Sequence, residues 1–151
     1  MPKSPGKIFL IIMLLFFAGT FALKQKAAFA WVFDFLPVVL LIVPLFLNAG
    51  EFLFFEILSI FFLSSLYPFP AAETVILALL PVFAFVFRRF FAWITWAEPF
   101  LISFAGICGL YACISPAFFG NPGFALLDLA VSMAFAWILY AVLNKAFKLR
   151  Y

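Results

Sequence analysis

The sequence predicts an all-α integral membrane protein, a polytopic helix bundle of about six transmembrane helices forming a single transmembrane domain over residues 1–151. Three observations predict it. Of the 151 residues, 70% are hydrophobic and 10% are charged, against about half and about a quarter in a soluble domain. So little polar surface cannot cover a globule in water. The apolar residues fall in continuous runs of about 16–20, or about 24–30 Å as helix, close to the thickness of a hydrocarbon core. Finally, the runs do not alternate apolar with polar residues, as the roughly ten-residue strands of a transmembrane barrel do.

The first helix is expected at Ile8–Leu23, with Lys3 and Lys7 before it and Lys24 and Lys26 after it. Ala28-Phe-Ala30 also fits a small-residue cleavage pattern, and removal of the first run would leave five helices oriented the same way. Lys24 and Lys26, lying between the apolar core and that site, speak against cleavage. The second helix is expected at Ala30–Asn48, its start falling anywhere between Ala28 and Leu36, with Pro37 and Pro44 bending it. Asn48-Ala-Gly50 is a tight break. The third helix follows at Phe52–Tyr67 and stops at Tyr67-Pro-Phe-Pro70, which cannot continue a helix. The fourth is Ala71–Phe87, bent at Pro81. The connection over residues 87–96 mixes Arg88 and Arg89 with Phe90, Phe91, Trp93 and Trp96, a composition suited to a membrane–water interface. The fifth is Ala97–Ile114. Ser115-Pro-Ala-Phe-Phe-Gly-Asn-Pro-Gly123 is the clearest loop, and the sixth helix is Ala125–Asn144.

The charges have an explanation that involves no substrate. With six crossings, Lys3, Lys7, Arg88, Arg89, Lys145, Lys148 and Arg150 share one face, and Lys24 and Lys26 the other. Seven against two places both termini in the cytoplasm, so the net charge of +3 is topological and does not point to nucleic acid. Glu51, Glu56, Glu73, Glu98 and Asp128 fall at or near helix starts, and Asp34 near the start of the second. Lys24, Lys26, Arg88, Arg89, Lys145 and Lys148 follow helix ends. Both placements suit the helix macrodipole. Lys3 and Lys7 are exceptions, explained by orientation. Glu56 lies about 6 Å inside its helix and could pair with Arg88 or Arg89, or snorkel to water. An acid within a membrane helix is a default site for transport, which singles out Asp34 and Glu56, but the helix centres supply few polar neighbours.

The common catalytic constellations are absent. There is no Gly-rich phosphate loop. There is no histidine, hence neither the usual general base nor a zinc ligand of that type. Glu51 and Glu56 are five apart, about 140° round a helix, and so do not form a paired site. Cys108 and Cys113 have the same spacing, which disfavours a disulfide within the helix, and two thiols are too few for a soft-metal site. The sequence therefore calls for no enzyme activity, cofactor or metal.

Packing signals are stronger. Ala97, Leu101, Ala105, Gly109 and Cys113 recur every four residues on the fifth helix, and all but Leu101 are small. Such a groove admits another helix at close range, with packing inside the bundle the expected use and a partner's helix the alternative. Ala130 with Ala134, and Ser132 with Ala136, offer similar spacing on the sixth. The 26 phenylalanines must largely face lipid.

From about residue 28 to 114 the order of features resembles MreD, the bacterial rod shape-determining membrane protein family. The resemblance is carried by "FDFLPVVLLIVPLF" (33–46), "LSSLYPFPAAETVILALL" (63–80) and "FRRFF" (87–91). In that family an acid or amide near a proline opens an aliphatic helix, a later helix ends in a Pro-containing turn, and a further helix runs into a basic pair. The resemblance implies a non-enzymatic scaffold in the bacterial inner membrane. There it would join an MreC-like membrane protein and couple cytoplasmic filaments to the cell-wall synthesis complex that elongates peptidoglycan. A second class is also compatible: a small-molecule-binding subunit similar to the substrate-capture component of energy-coupling-factor vitamin transporters. In that reading the loop "SPAFFGNPG" with Asp34, Glu73 and Asp128 would line the pocket.

Overall fold

A helix that is apolar on every side has to be covered on every side. The chain meets this demand at residues 36–43, of which Leu36, Val38, Leu40, Leu41, Ile42 and Val43 are fully buried. These residues form the centre of a computed structural model that describes residues 5–28, 35–66, 72–91, 97–114 and 120–147. Among the described residues every regular element is helical: α1 (Pro5–Ala28), α2 (Phe35–Ile42) with a 3-10 turn (Val43–Phe46), α3 (Ala49–Leu66), α4 (Ala72–Phe91), α5 (Glu98–Ile114) and α6 (Pro122–Phe147). Helices α1, α4, α5 and α6 pack directly on α2, and α3 lies between α1 and α4.

Each outer helix turns one stripe inward at helical spacing. The inward residues are Ile11, Leu15 and Ala18 on α1, and Phe52, Phe55, Ser59 and Leu63 on α3. On α4 they are Leu77, Leu80 and Ala84, on α5 Ile102, Gly106, Ile107 and Leu110, and on α6 Ser132, Ala136, Leu139 and Leu143. Two glycines set close approaches. A Cβ on Gly19 would collide with the Phe62 ring of α3, and one on Gly106 would come within 2.6 Å of Leu41 on α2. The outward faces are apolar as well, with Phe16, Phe61, Leu53, Phe90 and Leu126 each at least 60% exposed.

Several boundaries differ from the hydropathy reading. Helix α1 continues through Lys24-Gln-Lys26, where the residues are polar but good helix formers. Helix α4 runs through both arginines to Phe91. Helix α6 begins at Pro122, whose fixed φ and missing N–H suit the first helical position. In the second helix the described part is Phe35–Phe46. Pro44 has no N–H to give to the Leu40 carbonyl, so the α-helix tightens into the 3-10 turn. The chain then leaves through Leu47 in extended conformation (φ −100°, ψ 142°). Helix α4, by contrast, passes uninterrupted through Pro81. Among the described residues, α6 alone is both long and apolar enough to cross a membrane by length and composition. The apolar stretches Gly6–Thr20, Phe35–Phe46 and Glu98–Ile114 are shorter.

Candidate functional site

Polar side chains gather where the central helix ends. The last carbonyls of a helix have no partners within it, and at a buried end water cannot supply them. Arg88, from the last turn of α4, supplies the donors. Its Nη1 donates to the carbonyls of Leu47 (2.6 Å) and Pro44 (3.1 Å), with Leu45 O at 3.5 Å. The guanidinium lies over the Phe85 ring at 4.1 Å, and Phe85 stacks on Phe52 of α3 with centroids 4.1 Å apart. Cation, carbonyls and ring face thus form one layered contact. Glu98 is buried at the start of α5.

Lys7 reaches the same end from α1. Its Nζ donates to Phe46 O at 3.0 Å and forms an ion pair with Glu51 Oε2 at 2.8 Å. It also sits 5.2 Å from the Phe147 ring centroid at the end of α6. The same Glu51 oxygen accepts from the Asn48 backbone N–H at 3.0 Å, the reach of an N3 glutamate back to its N-cap residue. Glu51 precedes the apolar run that opens at Phe52. Burial pushes its carboxyl up, but the hydrogen bonds from Lys7 and Asn48 and the Lys7 charge outweigh this. The net effect holds it below the usual carboxylate range. The starts of α1 and α3 and the ends of α2, α4 and α6 therefore meet at one end. At the other end the Tyr111 hydroxyl of α5 donates to Asp128 Oδ2 of α6 at 2.8 Å.

This geometry corrects several expectations drawn from the amino-acid pattern. Arg88 turns to the carbonyls of the second helix and not to Glu56. Glu56 Oε2 is buried and accepts no hydrogen bond among the described residues. Lys7 holds two helix ends together, beyond any role in orientation. Asp128 is not in the first turn of its helix, because α6 starts at Pro122, and its partner is Tyr111. The small-residue stripe faces outward: Ala97 is half-buried, while Leu101, Ala105, Gly109 and Cys113 are exposed, and nothing lies within 4 Å of a Cβ on Gly109. The expected packing inside the bundle is thus made by a different stripe of α5, at Gly106. Arg89 is exposed. Asp34, Trp93, Trp96 and residues 115–119 lie outside the described residues, as do Phe29 and Ala30 of the cleavage pattern. Glu73 is exposed at the start of α4.

The arrangement neutralises helix ends. Cys108 and Cys113 are free thiols, and among the described residues no three His, Cys, Asp or Glu side chains gather to hold a metal ion. The hydroxyls of Ser59, Ser64, Ser65 and Thr20 donate to carbonyls of their own helices, three or four residues back. Comparison with protein-family models, with curated proteins and with solved structures gives no match to this chain.

Proposed function

We propose that the chain crosses a bilayer as a polytopic six-helix bundle in the bacterial cytoplasmic membrane, with both termini cytoplasmic. In this reading it serves as a non-catalytic scaffold of the cell-wall elongation machinery, as MreD-like proteins do. The observation that carries the membrane part is the outward surface: large apolar side chains such as Phe9, Phe17, Ile57, Phe61, Leu127 and Trp137 are more than half exposed on α1, α3 and α6. Water does not tolerate a surface of that kind over a whole molecule, whereas lipid requires it. Helices α1, α3, α4 and α6 have 18–26 residues, about 27–39 Å of helix against a hydrocarbon core of about 30 Å, and α6 meets the demand by length and composition together. The short second helix fits the same view. Non-helical backbone is tolerated at membrane depth only where it is buried in protein, and Arg88 and Lys7 meet its carbonyls there.

The scaffold part rests on the resemblance to MreD and on the outward face of α5, where Ala105, Gly109 and Cys113 leave a shallow groove for a partner's helix. Depletion in the encoding bacterium is expected to round rod-shaped cells. The tagged full chain, purified in detergent, is expected to recover an MreC-like membrane protein. Unchanged cell shape with no recovered partner contradicts the scaffold role. Unchanged shape together with tight binding of a vitamin moves the reading to a substrate-capture subunit.

A further inference from the structure

The two ends of the bundle differ in charge. At the end where α1 starts and α4 and α6 finish, the helices carry Lys7, Arg88, Arg89 and Lys145 against Glu51, Glu56 and Glu98. In the amino-acid sequence Lys3 precedes α1, Lys148 and Arg150 follow α6, and Asp34 precedes α2. Toward the other end the helices carry Lys24 and Lys26 against Glu73 and Asp128. Within the basic end the cations divide into two kinds. Lys7 is engaged by Glu51 and the Phe46 carbonyl, and Arg88 by the carbonyls of Pro44 and Leu47. Arg89, the next residue of α4, and Lys145, in the last turn of α6, are exposed. On the same last turn of α4, exposed Phe87 and Phe90 meet each other with ring centroids 5.7 Å apart. An exposed cation on a helix turn that also carries exposed aromatic rings has the composition of a membrane–water interface.

We infer that this end binds anionic phospholipid headgroups, with Arg89 and Lys145 as the two phosphate-seeking cations. The inference rests on the membrane reading above. Charge complementarity selects the occupant: a zwitterionic headgroup carries no net charge to pair with the surplus of cations, and an anionic one does. Each cation near such a surface contributes about fivefold in association, so the two together contribute about 25-fold.

The test uses the full chain in nanodiscs of mixed phosphatidylglycerol and phosphatidylcholine, with lipid retention read by native mass spectrometry. Wild-type protein is expected to retain phosphatidylglycerol severalfold over phosphatidylcholine, and about 0.5 M salt is expected to weaken that preference. The Arg89→Gln/Lys145→Gln double variant is expected to lose most of it. A Lys24→Gln/Lys26→Gln variant, altered at the opposite end, is expected to keep it. Millimolar inorganic phosphate should leave it unchanged, and displacement by free phosphate would assign the site to a soluble anion and overturn the lipid. Insertion without lipid preference, or a preference that survives the double variant, overturns the inference and leaves the membrane reading standing. Failure to enter nanodiscs of any composition overturns the membrane reading itself.

Discussion

Arg88 is the residue on which the centre of the bundle depends most. Its guanidinium answers the carbonyl of Leu47 and shares that of Pro44 with the Leu47 N–H, and leaving a buried acceptor unmet costs about 1–3 kcal/mol. Arg88→Met is therefore expected to destabilise the protein by about 1–3 kcal/mol. Arg88→Lys should recover only part, because an ammonium lacks the flat guanidinium face that lies on Phe85 while Nη1 reaches the carbonyls. Thermal unfolding in detergent measures both. Glu51 makes a pH prediction. Its carboxyl titrates below that of an unfolded glutamate, about 4.3. The stabilisation from its pairing is thus fully present above about pH 4.3 and is lost as pH falls through the folded value. Wild type and Glu51→Gln should differ in unfolding midpoint at neutral pH and converge in strong acid. A constant difference between them down into strong acid would refute the Lys7–Glu51 assignment. The Asn48-to-Glu51 spacing carries a capping signal, an amide followed three residues later by a glutamate, but the sequence reading takes Asn48-Ala-Gly50 as a break and begins the helix at Phe52, where the structure begins it at Ala49. Lys7 as the partner was not legible: 44 residues separate it from Glu51, and no local pattern encodes that meeting.

At the scale of the helix, the two glycines of α5 separate packing from exposure. Gly106 faces Leu41, while a Cβ on Gly109 meets nothing within 4 Å. Gly106→Val is expected to destabilise by about 1–3 kcal/mol through overpacking against the central helix. Gly109→Ala is expected to be neutral or to stabilise by about 0.5–1 kcal/mol, as removal of a helical glycine does. If Gly109→Ala leaves the isolated protein as stable as wild type but abolishes partner recovery, the outward groove is the partner's. The four-residue repeat of small residues in the sequence identified a face with small side chains but not the direction it faces. Direction is set by which stripe meets α2, and both stripes of α5 are apolar. The count of six α-helices among the described residues was readable from the apolar runs, but Gly50 lies inside α3 and Pro122 opens α6, so neither residue breaks the chain where the sequence reading placed a turn or loop. Other helix ends were hidden as well, because hydropathy drops at Lys24 and at Arg88 while the backbone continues as helix.

For the whole molecule, one apolar helix is enclosed by others whose outer surfaces are also apolar, and the polar contacts are concentrated at the ends. Burying aliphatic side chains against one another gains little when the alternative environment is lipid, so close packing and end-capping hydrogen bonds must hold such a bundle together. That is why the predicted losses cluster at Arg88, Glu51 and Gly106, and why substitutions among outward residues such as Leu53 or Phe61 are expected to matter little if the replacement is apolar. The most direct test of six alternating crossings is a pair of topology reporters, one fused after Lys26 and one after Arg89, in the intact chain. The account predicts that the first reports the periplasmic side and the second the cytoplasmic side. Both reporting the same side would contradict it.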